Sequence, residues 1–297
     1  MSRYSRRDFC RTAAAAAGSL AVPASWSSLW AAAKPNSRFG GVQIGIQSYS
    51  FRDRPLDKAI AAILECGVNS CELWQGHIEP PLKSKGKEAR DELRRWRLTT
   101  PPDVFRQVAE KFKRAGIKLF AYNYSFREDF TGQEIEQGFI MAQALGVKAL
   151  TASSNVSTAR RVDPFARKHK VRVGMHNHSD IRPNEFATPD DFAAALKGLS
   201  PYTGVNLDIG HFLAAGFDPV AYLRENHDKI VCIHLKDRKK TGENLAFGEG
   251  DTPIREVLRL MKSKRWNFPA NIEYEYKAQD AVVEVKKSVA FCKQALV

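Results

Sequence analysis

The chain is poor in cysteine. Five are present in 297 residues, at Cys10, Cys66, Cys71, Cys232 and Cys292, with no CxxC pair and no zinc-finger spacing. That excludes a small disulfide-stapled domain and a thiolate metal module. After residue 33 no apolar run approaches the roughly 18 to 20 residues needed to cross a bilayer, so no membrane span is expected there. There is no internal repeat, and no low-complexity stretch beyond the N-terminal segment. No Gly-rich phosphate turn follows the first apolar strand, which removes the main support for a doubly wound nucleotide-binding sheet. Acidic residues are also short, 33 against 46 basic, giving a formal charge of +13. The basic residues are spread over many helical segments, with only short runs such as Lys236 to Lys240. The excess therefore reads as solvated faces, and no nucleic-acid partner is expected.

What is present begins with a segment unlike the rest. Basic Ser5 to Arg11 precedes the apolar stretch Thr12 to Val22, and small residues follow, ending in Ala31-Ala32-Ala33. That order is the pattern of a secretory signal, and Arg6-Arg7 followed by Phe9 resembles the twin-arginine export signal. Residues 1–33 are therefore set apart as a signal and residues 34–297 as one mature domain, expected in the periplasm or otherwise exported. The segment carries four Arg and one Asp, so the mature part retains about +10 of the +13. Twin-arginine substrates fold before export, so no disulfide framework is expected. Cys66, Cys71 and Cys232 instead read as small core side chains.

From Gly41 onward, short runs rich in β-branched and aromatic residues alternate with stretches of helical period, and 43% of the chain is hydrophobic. The spacing predicts strands over Val42–Tyr49, Ser70–Trp74, Lys118–Tyr124, Ala149–Ser153, Arg172–His176, Val205–Asp208, Ile230–His234 and Ala270–Glu275. Helices are predicted over Leu56–Cys66, Pro102–Ala115, Glu134–Leu145, Pro189–Leu199, Pro219–His227, Pro253–Lys264 and Asp280–Ala295. Eight strand and helix units in about 264 residues fit an α/β fold of the (β/α)8, or TIM, barrel type. Two segments break the rhythm, Ile78–Thr99 after the second strand and Lys236–Asp251 after the seventh. Both follow strand C-termini, the face where such barrels bind substrate, and both are candidate lids.

Polar residues gather at the predicted strand ends: Glu72 with His77, Asn123, His176 with His178, Asp208 with His211, His234 with Lys236, and Glu273 with Glu275. Five of the seven His fall in this set. A carboxylate, an imidazole and a further carboxylate on the last three strands make a mixed N and O site that suits a divalent ion such as Mn, Co or Zn.

Asp208-Ile209-Gly210-His211, His234-Leu235-Lys236-Asp237 and Ile272-Glu273-Tyr274-Glu275 resemble the Asp-x-Gly-His, His-x-Lys-Asp and last-strand motifs of the xylose isomerase-like barrel superfamily. That group includes tagatose and psicose 3-epimerases, inosose dehydratase and, more distantly, endonuclease IV. The resemblance covers nearly the whole mature chain and implies one divalent metal ion (Mn, Co, Zn or Mg) held by Asp208, His234 and Glu273. It implies enediolate chemistry on a small sugar or keto-sugar, with Glu273, His211 or His178 as the base. Lys236 would neutralise the developing oxyanion or, equally, form a rim salt bridge. Glu275, two positions from Glu273, is the reserve carboxylate. The departure is at the fifth strand, where the epimerases have a Glu and this chain has His176-Asn177-His178. His176 can replace the carboxylate as fourth ligand, but the two-carboxylate proton relay is then incomplete. That leaves room for dehydratase or lyase chemistry, or for a periplasmic sugar-binding barrel without catalysis.

Cys71-Glu72-Leu73-Trp74-Gln75-Gly76-His77 is similar to an arrangement in exported members. There Glu72 would support the site and His77 line the pocket. Trp74 and Asn123 are further candidate substrate contacts, and Tyr49 could offer a ring face. Glu249 is a candidate contact from the loop after the seventh strand, with a helix N-terminal charge as its plainer use. An endonuclease IV-like activity is disfavoured: Asn123 and His176 stand where three zinc ions would need His and Glu. The sequence leaves open whether the chain forms a homo-oligomer.

Overall fold

The computed structural model describes residues 35–278 and 280–297, and the predicted export signal lies outside the described residues. Eight parallel strands close into a ring: β1 (Val42–Gln47), β2 (Ser70–Trp74), β3 (Lys118–Asn123), β4 (Ala149–Ala152), β5 (Arg172–His176), β6 (Thr203–Asp208), β7 (Ile230–Leu235) and β8 (Ala270–Ile272). β1 pairs with β8 on one side and β2 on the other, so no edge remains. A short strand, Arg38–Phe39, runs antiparallel to β1. The architecture is the (β/α)8 barrel that the alternation predicts.

Around the ring lie α1 (Leu56–Glu65), α2 (Gly86–Thr99), α3 (Pro102–Arg114), α4 (Gly132–Leu145), α5 (Val156–His169), α6 (Pro189–Leu196), α7 (Ile209–Ala214), α8 (Pro219–Asn226), α9 (Ile254–Lys264) and α10 (Ala281–Leu296). Their ends follow sequence chemistry. Proline opens α3, α6 and α8, where its missing N–H costs nothing. Thr131 with Glu134 and Thr188 with Asp191 form reciprocal capping boxes. Gly146, at φ 73°, ends α4 in the left-handed conformation that glycine tolerates.

Two elements differ from the sequence expectation. α5 was not foreseen, because Pro164 sits inside it and interrupts the helical pattern. Within the insertion Ile78–Thr99, a candidate lid, residues Gly86–Thr99 form the helix α2. Arg97 pairs with Glu79 at 2.7 Å, their side chains 4% and 9% exposed, and its guanidinium stacks 5.0 Å over Tyr124. Arg94 on the same helix donates to Glu134 at 2.8 Å. Together these contacts dock α2 against the barrel wall. The four described cysteines are free and buried.

The barrel ends differ. Near the N-terminal ends of the strands, Ala121, Ala149 and Val231 form a small apolar cluster against Phe120, separate from the main core. Toward the C-terminal ends the interior turns polar.

Candidate active site

Alternation along each strand puts every second side chain inside the ring. Two positions before His176, Asp208, His234 and Glu273 stand Gly174, Asn206, Cys232 and Asn271, all buried. At the centre of this lower layer is Glu72, on β2 and 0% exposed. Its Oε1 accepts from Gln47 (2.8 Å) and Thr151 (2.5 Å), and its Oε2 from Asn271 (2.8 Å) and His234 Nε2 (2.8 Å). Gly45 gives the room this needs, since a Cβ there would lie 2.2 Å from the Asn271 amide oxygen.

Glu72 therefore fixes the ring of His234. Burial disfavours a charged ring, but Glu72 and Glu273 outweigh it and hold the His234 pKa well above its usual value. Nε2 faces Glu72 and Nδ1 faces Glu273 Oε2 at 3.2 Å, so a cation bound at Nδ1 would displace a proton there. This is the carboxylate–imidazole arrangement that orients metal-binding histidines. Asp208 is held as firmly. Its backbone is clamped by Asn177, which accepts from Asp208 N at 2.9 Å and donates to its carbonyl at 3.1 Å. Its Oδ1 caps α7 by accepting from His211 N at 2.7 Å, leaving Oδ2 for the interior.

One ligand atom each from His176, Asp208, His234 and Glu273 lie within 4.8 Å of one another, and all four residues are buried. Five of their buried atoms lack a hydrogen-bond partner: both ring nitrogens of His176, Asp208 Oδ2, His234 Nδ1 and Glu273 Oε2. Buried polar atoms are rarely left so, and a cluster of them on two imidazoles and two carboxylates fits a divalent ion of the Mn, Co or Zn kind.

A lysine ammonium stands at the edge of this set. Lys236 Nζ lies 2.6 Å from Glu275 Oε2, 3.0 Å from Glu273 Oε2 and 3.2 Å from Asp208 Oδ2. The last two are ion-pair distances without hydrogen-bond geometry. Burial disfavours the ammonium, but the three carboxylates outweigh it and hold the Lys236 pKa above its usual range. Burial would likewise raise the carboxyl of Asp208, yet the Lys236 ammonium beside it holds it well below the ordinary value. Glu273 follows the same pattern, with Lys236 and His234 as the opposing groups. His178 is pulled down to about 4 by burial and by His176, and burial lowers His211 well below its usual value. Both are neutral imidazoles near pH 7.

Above the cluster opens a cavity of about 240 Å³. Tyr49 and Trp74 form an aromatic corner, their rings 5.0 Å apart and nearly perpendicular. Gln47, Asn123, Ser125 and Ser153 supply uncharged polar groups, and Lys236, Glu273 and Glu275 the charged ones.

The sequence model of the xylose isomerase-like TIM barrel family matches residues 60–295. The chain belongs to this family. Among curated proteins none matches it. Solved structures share the fold. A D-tagatose 3-epimerase-like protein is 17% identical, over 86% of this chain and 98% of its own, with a TM-score of 0.65. The 3-keto-D-glucoside 4-epimerase YcjR of E. coli is 14% identical over 85% and 99%, also at 0.65. The probable 3-DHS dehydratase AsbF of Bacillus anthracis is 16% identical over 84% and 98%, at 0.63.

Within this family barrel, Trp74, Asn123, His176, His178, His211, His234, Lys236, Glu273 and Glu275 line the cavity, and Asp208 lies buried beside it. Two expected contacts stand elsewhere. His77 sits behind Trp74, ring to ring at 5.4 Å, and bonds to Ser48 Oγ and the Phe51 carbonyl. It supports the aromatic corner and does not line the cavity. Glu249 is exposed and outside the lining, because the loop that carries it is folded around Asp237. β8 ends at Ile272, so Glu273 and Glu275 project from beyond the strand, with Glu273 N donating to the Leu235 carbonyl at 3.1 Å. Sequence reasoning missed Gln47, Ser125 and Ser153 on the rim and the lower layer of Asn206 and Asn271. Counting back two residues from each candidate ligand would have found the last two.

Proposed function

We propose that the protein is an exported, metal-dependent enzyme of the sugar isomerase and epimerase type, acting on a sugar or keto-sugar by enediolate chemistry. The observation that carries this reading is the set of five buried atoms on His176, Asp208, His234 and Glu273 that lack a hydrogen-bond partner. These four residues would hold the ion. When bound, a divalent cation supplies Lewis acidity, which polarises a carbonyl and acidifies the neighbouring carbon-bound proton.

The chain's own groups account for the rest. Glu273, kept ionised beside Lys236, accepts the carbon-bound proton at a carboxylate oxygen and can return it. Lys236 Nζ donates to a substrate oxygen as negative charge develops there. The Tyr49 and Trp74 rings offer an apolar face to the sugar, while Asn123, Ser125 and Ser153 meet its hydroxyls. His178, neutral at pH 7, can take a hydrogen bond from a substrate hydroxyl.

A second reading within the same fold is a keto-sugar dehydratase or lyase. It is favoured by His176 at the end of β5: with an imidazole in that place, one carboxylate base remains where two-base epimerisation would use a pair. Elimination needs one base and a donor for the departing hydroxyl, roles open to Glu273 and Lys236. A non-catalytic sugar-binding barrel is the third. Export rests on Arg6-Arg7, Phe9 and the apolar and small-residue stretches that follow. Replacing both arginines by lysine should retain the protein in the cytoplasm in a fractionation experiment.

The decisive test is thermal melting of the purified protein with Mn, Co, Zn and Mg. At least one ion should raise the midpoint by several degrees, since ligand at about 100 times its dissociation constant contributes about 2.7 kcal/mol. No rise with any ion would remove the enzyme reading. Exchange of carbon-bound protons with heavy water, using ketohexoses and keto-glycosides, then separates an enzyme from a binding protein. Loss of water from the substrate separates elimination from isomerisation.

A further inference from the structure

The cavity has little free positive charge, and the loop that often binds phosphate in such barrels is already occupied. In (β/α)8 barrels, backbone N–H groups after the seventh and eighth strands, with a nearby short helix, commonly hold an anionic ligand group. Here the loop after β7 turns its N–H groups onto one internal carboxylate. Gly248 N, Gly250 N and Thr252 N donate to Asp237 at 2.7, 3.1 and 3.2 Å. Asp237 is 2% exposed, and a Cβ at Gly250 would lie 2.0 Å from its Oδ1. The start of α7 is taken in the same way, by Asp208 accepting from His211 N.

The side chains agree. Lys236 is the one Lys or Arg on the cavity lining among the described residues, and carboxylate oxygens of Asp208, Glu273 and Glu275 stand within 3.2 Å of it. Arg238 is off the lining and engaged, donating to Ser179 Oγ and the Gly242 carbonyl and contacting His211. The remaining polar lining is amide, hydroxyl and imidazole. Such groups match sugar hydroxyls but do not compensate a desolvated dianion.

We infer that the substrate is an uncharged sugar or keto-sugar, and that sugar phosphates are excluded because Asp237 fills the backbone cradle and Lys236 is already paired. The inference rests on the sugar-enzyme reading above and narrows its substrate class.

The test is calorimetric titration of the full-length protein, with and without one equivalent of Mn²⁺, using D-fructose, D-tagatose and D-psicose and their 6-phosphates. At least one free ketose should bind about tenfold or more tightly than its phosphate, a difference of about 1.4 kcal/mol. A 6-phosphate that binds as well as or better than the free sugar overturns the inference and leaves the sugar-enzyme reading intact. Binding by none of the six sugars, with the keto-glycosides of the exchange experiment also failing to bind, removes that reading, and the inference with it. A second measurement addresses the cradle. Asp237→Ser frees three N–H donors, so the folded variant, checked by circular dichroism, should gain affinity for inorganic phosphate in the absence of metal, read by ³¹P line broadening. No gain in a folded variant overturns the role given to Asp237. Should the variant not fold, the titration of the unmodified protein still decides.

Discussion

At the C-terminal end of the barrel, buried imidazoles and carboxylates stand without hydrogen-bond partners, whereas at the N-terminal end Ala121, Ala149 and Val231 pack dry against Phe120. Below that apolar plug, a cavity of about 430 Å³ is bordered by Lys148, Arg172 and Arg265, and the Arg172 guanidinium donates to the carbonyls of Lys229 and Ile230. One end is built for stability and the other against it. Buried polar groups left without a hydrogen bond cost about 1–3 kcal/mol each, and the ammonium and imidazole beside these carboxylates offset part of it. The same eight strands carry both ends, and the difference lies in which side chain each strand places at its last inward position.

The sharpest way to break this comparison is Lys236→Met. Without the ammonium, Asp208 and Glu273 remain buried near one another with the half-buried Glu275 beside them, a loss of about 3–5 kcal/mol in metal-free protein. A divalent ion should restore most of it, read as the midpoint of thermal melting with and without Mn²⁺. If the ion restores nothing, the mouth is a structural ion-pair network and not a metal site.

Glu72→Gln comes next. It keeps the shape of the side chain but weakens the hold on His234, so metal affinity should fall about 10- to 100-fold by calorimetry. Because its amide places a donor among four groups that donate to Glu72, the metal-free melt should fall as well. Unchanged affinity would mean that His234 does not bind through Nδ1.

At the other end, Val231→Ala should cost about 1–2 kcal/mol through the cavity it leaves. That cost should be equal with and without metal in a denaturant titration. A metal-dependent cost would show that the two ends are coupled and break the contrast.

The smallest effect belongs to the helical ring. Burial acts to raise the carboxyl of Glu134, but Arg94 and Thr131 hold it below the ordinary 4.5. Such a depressed folded-state value contributes stability above 4.5 that is lost as pH falls through the lower value. Because Arg94 is one-third exposed, the contribution is below about 1 kcal/mol. Melting midpoints measured from pH 5 down to 3 should fall less steeply for Glu134→Gln than for the unmodified protein. Parallel curves would assign the acid sensitivity to other carboxylates.

Much of this was legible in the primary structure, and for identifiable reasons. Strands such as Ile230 to Ile233 announce themselves by apolar β-branched runs, because a strand buried on both faces need not alternate with polar residues. His176, Asp208, His234 and Glu273 stand at or just past strand ends, where the barrel aims its last inward side chains. α5 was hidden by Pro164, whose local preference the packing of Ala159, Val162 and Ala166 overrides. The helix within Ile78–Thr99 is held by a contact far along the chain, between Arg94 and Glu134, which spacing does not show.

Sequence alone determined the fold and the candidate donor set, because both follow from period and from position along a strand, which are local properties. Only the tertiary structure decided that Glu72 grips His234 across the barrel, that Lys236 lies among three carboxylates, and that Asp237 consumes the N–H groups of its own loop. Each of these depends on distances between residues that closure of the ring or folding of a loop brings together, and such distances leave no trace in spacing.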